Sequence, residues 1–514
     1  MSWVERRKHL LRYLPHAVLA LVLVVGLATV GDYGITIDEP VRARSGDSWW
    51  HFLATWDSRY LPHGFFANYG ALFDMLGSAV ARGHRAIGGD DVYFARHLLI
   101  FVSGWLGLLG TYLLGRRVLT PAGAVMALVI LVLMPRYYGP CFNNPKDIPF
   151  AATFVWAMFG LVRLLQDPSP RSAVLCGALG ALCTAVRPFG AVFAPLGALA
   201  CLWPLAEAAR ERRWRLLAFQ LSSAIVLTVA LWPILWVRPP WHVVKAMLVL
   251  GSDLNPEGTP LPHLFLGKVY SPLESPPYYL PVWLAVTLPV PTLALVLAGG
   301  AFLLARVRRA ERRAALWTAA ILGIWVLAPI AIPFVHRVAL YDGIRHFLFV
   351  VPAICLLAAL GWQHVFALAR QPWQRTALAG VAALLYGDVA LTEARLHPYE
   401  DLYFSRLIGG LGGASGSFGV AYWGATYRES FEWLEHHADP PVYVSSFFLD
   451  VPAYYAGRMG MALDPEKFGF FLTEVRVNQT DYMPGEVVHT ISREGVPLAV
   501  VVKIAPMEQP ASAW

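Results

Sequence analysis

Over roughly its first 390 residues the chain alternates long apolar runs with short polar breaks, and most of those breaks carry arginine. A helix needs about 20 apolar residues to cross a hydrocarbon core. Runs of that order lie near residues 14–30, 94–115, 121–139, 147–165, 172–187, 189–206, 217–237, 280–305, 314–332, 345–369 and 375–392. The pattern predicts a polytopic, all-α membrane protein with about 11 transmembrane helices. Only Arg187-Pro188 parts the fifth run from the sixth, and fusing the two would invert every later segment.

The loop charges decide between these topologies. With a cytoplasmic N-terminus, the inside segments hold Arg6, Arg7, Lys8 and Arg12; Arg116 and Arg117; Arg163 and Arg171; Arg210, Arg212, Arg213 and Arg215; Arg306, Arg308, Arg309, Arg312 and Arg313; and Arg370 and Arg375. Such regularity is what the positive-inside rule requires, and the fused alternative would place the two richest clusters outside. The expectation is therefore an N-terminus inside and a C-terminus outside. Leu14 to Val30 is read as an uncleaved anchor, because no A-x-A cleavage site follows it.

Three outer stretches are then long enough to have structure: 31–93, 238–279 and 393–514. In the first, Ser48 to Leu53 and Leu72 to Val80 mix apolar and polar residues at helical spacing, as interfacial helices do. The second leads from Pro239-Pro240-Trp241 into another such helix and returns through a proline-rich segment. The tail differs in composition: Thr426 to His437 is helical in period, Val442 to Ser445 reads as a strand, and Val487 to Ile504 alternates like a hairpin. These features predict a membrane unit over 1–392 and a small extracytoplasmic α/β domain over 393–514.

Composition agrees and narrows the classes. Hydrophobic residues make up 57% and charged residues 15% of the 514, against about 25% charged in soluble proteins, which excludes a soluble enzyme. The five cysteines fall in or beside apolar runs with no CxxC, indicating packing rather than disulfides or zinc. The net charge of +7 is spread over short loop clusters, a topology signal and not a nucleic-acid surface.

Chemistry concentrates at the outer face. Directly after the first run come Asp38-Glu39-Pro40. A carboxylate held at the membrane interface has a raised proton affinity and suits a general base; the alternative is that Asp38 or Glu39 merely caps the following helix. Between the third and fourth runs, the polar insert Arg136 to Phe150 places Lys146 and Asp147 at a helix N-terminus, where an anion is favoured; there the alternative is that Asn144 or Asp147 is only a cap. Arg96, Arg187 and the pair Arg345-His346 lie at the same membrane depth. Each arginine could snorkel to headgroups, but their convergence on one leaflet is better explained by a shared anion. There is no HExxH, Walker loop or nucleophile elbow.

Asp38-Glu39 in a large amphipathic first loop, the early arginine in Ala95-Arg96-His97 and the Asn144-Pro145-Lys146-Asp147 insert resemble the GT-C superfamily of membrane glycosyltransferases. The likeness is to the dolichyl-phosphate-mannose protein mannosyltransferase branch, which includes the lipid A aminoarabinose transferase. Tyr341 to Phe347, His397-Pro398-Tyr399 through Gly410, and Tyr422-Trp423-Gly424 also look like segments of bacterial members. The resemblance implies transfer of a sugar from a polyprenyl-phosphate donor, with inversion, to an envelope lipid, glycan or protein on the outer face of a bacterial inner membrane. It carries the family's acidic motif to Asp38 and Glu39 and its second-loop carboxylate to Asp147. The tail departs from the family, being too short for the β-trefoil of the eukaryotic mannosyltransferases.

The physical reading runs alongside. A sugar on a lipid phosphate is already activated, so the enzyme must deprotonate a hydroxyl and stabilise the departing phosphate. Asp38 serves as base, and Lys146, Arg187, Arg345 and His346, with Arg96, as the phosphate clamp. No organic cofactor is implied, and fixed cations can stand in for a divalent metal, which the sequence leaves open. Two other classes compete: a secondary transporter or lipid flippase, whose inverted repeats are not found in the sequence, and a membrane-anchored binding module, which leaves the acidic pair and the polar inserts unexplained.

Overall fold

The computed structural model describes residues 3–63, 67–202, 211–251, 262–308, 313–421, 423–446, 450–463, 469–475 and 485–504. Arg210, Arg309, Arg312, Tyr422 and part of the 238–279 stretch, expected to be an outer loop, lie outside the described residues. Among the described residues six helices are long and apolar enough to cross a membrane: Arg12–Asp32, Val92–Val118, Asp147–Gln166, Arg213–Leu231, Arg345–Leu368 and Pro372–Leu396. A seventh span forms if the pair Pro121–Val132 and Pro135–Asn143, bent by 74°, is counted as one. The other four expected positions hold the shorter apolar helices Pro170–Val186, Pro188–Leu202, Val290–Arg306 and Ala320–Val335, each of 10–17 residues.

Prolines account for the irregularities. Pro135 cannot donate to the preceding turn, and the chain kinks just before it. The expected run over 280–305 is likewise split at Leu288-Pro289 into Tyr279–Thr287 and Val290–Arg308. Glycine lets neighbouring helices approach closely: a Cβ on Gly299 would sit 2.2 Å from the Leu357 carbonyl oxygen, and one on Gly361 2.0 Å from that of Leu295. One large apolar cluster runs through the helices and takes in Tyr399, Phe404, Phe418 and Ala421, so the chain beyond the last span first packs back on the membrane helices. All five cysteines are buried and unbridged.

The loop after the first span forms the helices Asp38–Thr55 and Leu72–Ala86, and the loop after Arg213–Leu231 forms His242–Gly251 followed by a hairpin of β1 (His263–Phe265) and β2 (Lys268–Tyr270). The tail builds a sheet from β3 (Tyr443–Ser446), β4 (Ala462–Leu463), β5 (Phe470–Glu474), β6 (Glu486–Arg493) and β7 (Val496–Lys503), in the order β4-β3-β5-β7-β6. The β6–β7 hairpin turns at Glu494-Gly495, as its alternation predicts, and the β3 pairings with β4 and β5 are parallel. Helices Tyr427–His437 and Asp450–Arg458 cover the sheet around Phe431, Val444, Leu472 and Val501. That core also takes in Ile35, 2% exposed, from the strap between the first span and Asp38. The start of the chain is thus built into the domain at its end.

Candidate active site

Asp38 is the first residue of its helix and makes no cap bond; the cap position is Ile37. Three donors converge on one of its oxygens: Lys146 Nζ at 3.3 Å, Arg345 Nη1 at 3.0 Å and Trp423 Nε1 at 3.2 Å, all to Oδ2. The other oxygen, Oδ1, takes no hydrogen bond from a described residue, and the side chain is 25% exposed. Burial raises the proton affinity of this carboxyl, but Lys146, Arg345 and the Trp423 N–H outweigh it and hold it well below the ordinary carboxylate range. The expectation of a raised affinity is corrected here: it counted the cost of desolvation and omitted the two cations.

Behind Asp38 lies a second carboxylate. Asp147, 1% exposed, pairs through Oδ1 with Arg187 Nη2 at 2.6 Å and stands 3.9 Å from Arg345 Nε through Oδ2. Asn144 sets this up locally: its Oδ1 accepts the N–H groups of Lys146 and Asp147, and its Nδ2 donates to Asp147 Oδ2 at 3.0 Å. Lys146 holds the cap position without a side-chain cap bond, so Asn144, two residues ahead of it, satisfies the N–H groups at the helix start, and Asp147 is freed to face the arginines. Arg345 also pairs with Asp342 at 3.2 Å and lies 3.2 Å from His346 Nε2, while His346 meets the Tyr341 ring edge-on. The ring of Tyr69 serves as a shared platform, with Lys146, Arg187 and Arg42 at 5.6, 5.9 and 4.5 Å from its centre.

Six of the eight expected residues thus meet: Asp38, Lys146, Asp147, Arg187, Arg345 and His346. Two do not. Glu39 points inward, 2% exposed, where Oε1 accepts the Thr36 N–H at 2.9 Å and both carboxylate oxygens stand 3.0–3.2 Å from His97 Nε2. It fastens the helix start, which is the capping alternative realised one residue later. Arg96 lines a small separate cavity with Glu39, Arg42, Asp74 and Gly77 and makes no ion pair with a described residue; a Cβ on Gly77 would come within 2.8 Å of its guanidinium. Arg96 starts its span as expected, but its helical azimuth points away from the cluster.

Sequence reasoning missed the roles of Asp342, Tyr69 and Trp423, which reach the site from separate loops. For Asp342 and Trp423 the available signal was their place in Tyr341 to Phe347 and Tyr422-Trp423-Gly424, polar or aromatic breaks longer than a turn needs. Among the described residues no group of three His, Cys, Asp or Glu side chains could hold a metal ion.

The model of the dolichyl-phosphate-mannose-protein mannosyltransferase family matches residues 75–236. Among solved structures, ArnT from Cupriavidus metallidurans bound to undecaprenyl phosphate is similar over 94% of this chain and 97% of its own, with 14% identity and a TM-score of 0.51. The chain has the GT-C fold of membrane glycosyltransferases. A GT-C oligosaccharyltransferase from Archaeoglobus fulgidus also matches, over 92% of this chain and 70% of its own, with 13% identity and a TM-score of 0.49. No curated protein matches the sequence. Within the GT-C fold, the cation cluster described above sits where the loop after the first span, the 144–147 turn and the loop before Arg345–Leu368 converge.

Proposed function

We propose that this protein is an inverting glycosyltransferase that moves a sugar from a polyprenyl-phosphate-linked donor to a hydroxyl of an envelope lipid, glycan or protein. It acts on the outer face of a bacterial inner membrane, with the N-terminus cytoplasmic. Residues 1–392 carry the base and the clamp, and residues 393–514 lie on the outer face. The observation that carries the reading is Asp38, one oxygen held by Lys146 and Arg345 and the other without a hydrogen-bond partner among the described residues. The family match and the undecaprenyl phosphate bound to the similar ArnT support a polyprenyl-phosphate donor.

The arrangement suits the reaction. The acceptor oxygen attacks the anomeric carbon, the bond from that carbon to the phosphate oxygen breaks, and the hydroxyl proton passes to Asp38 Oδ1. The phosphate changes from a diester with one negative charge to a monoester carrying up to two, so the demand for cations grows as the bond breaks. Lys146 and Arg345 are the groups able to meet it, and in doing so they loosen their hold on Asp38. Its proton affinity rises as it is needed, which couples leaving-group departure to base strength through shared cations. Asp147 keeps Arg187 and Arg345 aimed, and Glu39 fixes the helix start that presents Asp38.

The test is transfer in nanodiscs from a labelled undecaprenyl-phosphate sugar into envelope fractions of a deletion strain. The expected result is release of undecaprenyl phosphate with a product of inverted anomeric configuration by NMR. Absence of transfer to lipid, glycan and protein fractions alike, with the protein folded, would overturn the reading.

A further inference from the structure

Trp423 reaches Asp38 from beyond the last span, and its placement depends on the C-terminal sheet. The Ile37 N–H donates to the Trp423 carbonyl at 2.9 Å, and the Ile35 N–H donates to the Tyr455 hydroxyl at 3.0 Å. Gly34 packs so tightly on the next residues that a Cβ there would stand 2.1 Å from the Ala425 carbonyl oxygen. Gly424 turns the chain with φ +82°, where an L side chain is strained, and a Cβ would press on Ile37 at 2.9 Å. The turn is then fastened to the sheet: Glu474 Oε1, at the end of β5 and 6% exposed, accepts the Gly424 N–H at 2.7 Å and the Thr426 hydroxyl at 3.2 Å.

We propose that the C-terminal domain is a working part of the active site: Glu474 locks the turn after Trp423 so that the indole N–H holds Asp38 Oδ2 and leaves Oδ1 facing the acceptor hydroxyl. This rests on the reading of Asp38 as the base. The physical reason is that Lys146 and Arg345 both orient the carboxylate and weaken it, and a phosphate draws them away. An indole N–H is neutral, so it keeps the carboxylate in place with far less cost to its basicity. The Trp423 ring also carries the Arg345 guanidinium at 5.0 Å, so one side chain registers base and clamp against each other. Trp423 and Glu474 are positioning residues.

Among the described residues four groups face Asp38: Lys146 from the 144–147 turn, Arg345 and Tyr341 from the loop before the Arg345–Leu368 span, and Trp423; Asp147, Asp342 and His346 stand behind Arg345. Trp423→Phe keeps a ring under Arg345 and deletes the N–H. The expected result is a kcat lower by about 10-fold, a donor KM within about twofold, and an acid limb of the kcat profile moved to higher pH, because a bond to the charged form is lost. Glu474→Ala should give the same pattern, Glu474→Gln should recover most of the loss because its amide oxygen still accepts both bonds, and the double variant should be no worse than the poorer single. If Asp38→Asn abolishes transfer while Trp423→Phe and Glu474→Ala leave kcat and the acid limb unmoved, the inference fails and the functional reading stands. Loss of kcat and donor binding together with an unmoved limb also overturns it, since that is a scaffold's signature. Transfer retained by Asp38→Asn overturns the reading of the base itself.

Discussion

Two charged clusters flank the strap from Gly31 to Asp38, and they are built in opposite ways. On one side Asp38, Asp147 and Asp342 share Lys146, Arg187 and Arg345, so each carboxylate is a rival that an incoming anion can displace. On the other, His397 bridges Glu400 at 2.8 Å and Asp32 at 3.1 Å, and the Tyr33 hydroxyl donates to Glu400 at 2.9 Å. Asp401, beside them, is pushed up to about 6 by burial and by Glu400, with Arg136 opposing. Acid exceeds base in this second cluster, so it repels a phosphate and serves to fasten the strap. Tyr33 carries that hold inward by stacking on Phe142 at 4.1 Å, next to the Asn143-Asn144 turn. The contrast teaches that charge count alone does not mark a site; exchangeable pairing does.

The comparison breaks most sharply at its two acids. Asp38→Asn should cost about 1000-fold in transfer with the fold and donor binding kept, whereas Glu400→Gln should leave kcat within about threefold and register in the melting temperature. Comparable losses of kcat in both would erase the distinction. The next effect is on stability: Arg187→Met leaves buried Asp147 without its closest cation and should destabilise by about 3 kcal/mol, much of it recovered in the double variant with Asp147→Asn, as read by thermal unfolding in detergent.

The sequence made one cluster legible and hid the other for a physical reason. Lys146, Arg187 and Arg345 stand out because a cation at a span boundary is costly and easily seen, and Asp38 because it follows the first span at once. His397, Glu400 and Asp32 lie in polar stretches where charge is unremarkable, and only the return of the chain after the last span joins them. Apolar helices at the expected positions could be read from hydropathy, although among the described residues six or seven of them are long enough to span; the fate of Arg96 and the indole N–H on Asp38 depend on azimuth and on contacts hundreds of residues apart. In the tail the β6–β7 hairpin declared itself by alternation, while the parallel pairing of β3 with β4 and β5 left no local pattern.

A finer test concerns the exchangeable side. Arg345→Ala should weaken donor binding and slow transfer together, by about 100-fold in kcat/KM, and Lys should restore only part because a point charge cannot reproduce the fork. Equal donor affinity and turnover for wild type, Lys and Ala would remove Arg345 from the clamp. The smallest effect belongs to the fastening side. The hydrogen bond to Glu400 raises His397 above the ordinary histidine value, burial opposing and Asp32 assisting. Its contribution is complete below about pH 6.5 and is lost as pH rises through the raised value. At about 1 kcal/mol for a part-exposed pair, it should appear as a melting temperature that falls toward alkaline pH in the wild type and not in His397→Gln.

The burial of Ile35 among Tyr427, Phe431 and Tyr455 has a bearing on how the molecule is made. Synthesis proceeds from the N-terminus, so Asp38 is made hundreds of residues before the segment that receives its strap. Throughout that interval the strap lacks its apolar seat, and the carboxylate lacks its indole partner. The helices can insert and the cations can gather, yet on the proposed reading the base stays unaligned until β5 has formed and Glu474 holds the turn after Trp423. Under the proposed function, competence is thereby tied to the completion of the chain, and a chain stalled before Trp423 holds a phosphate clamp without an aligned base.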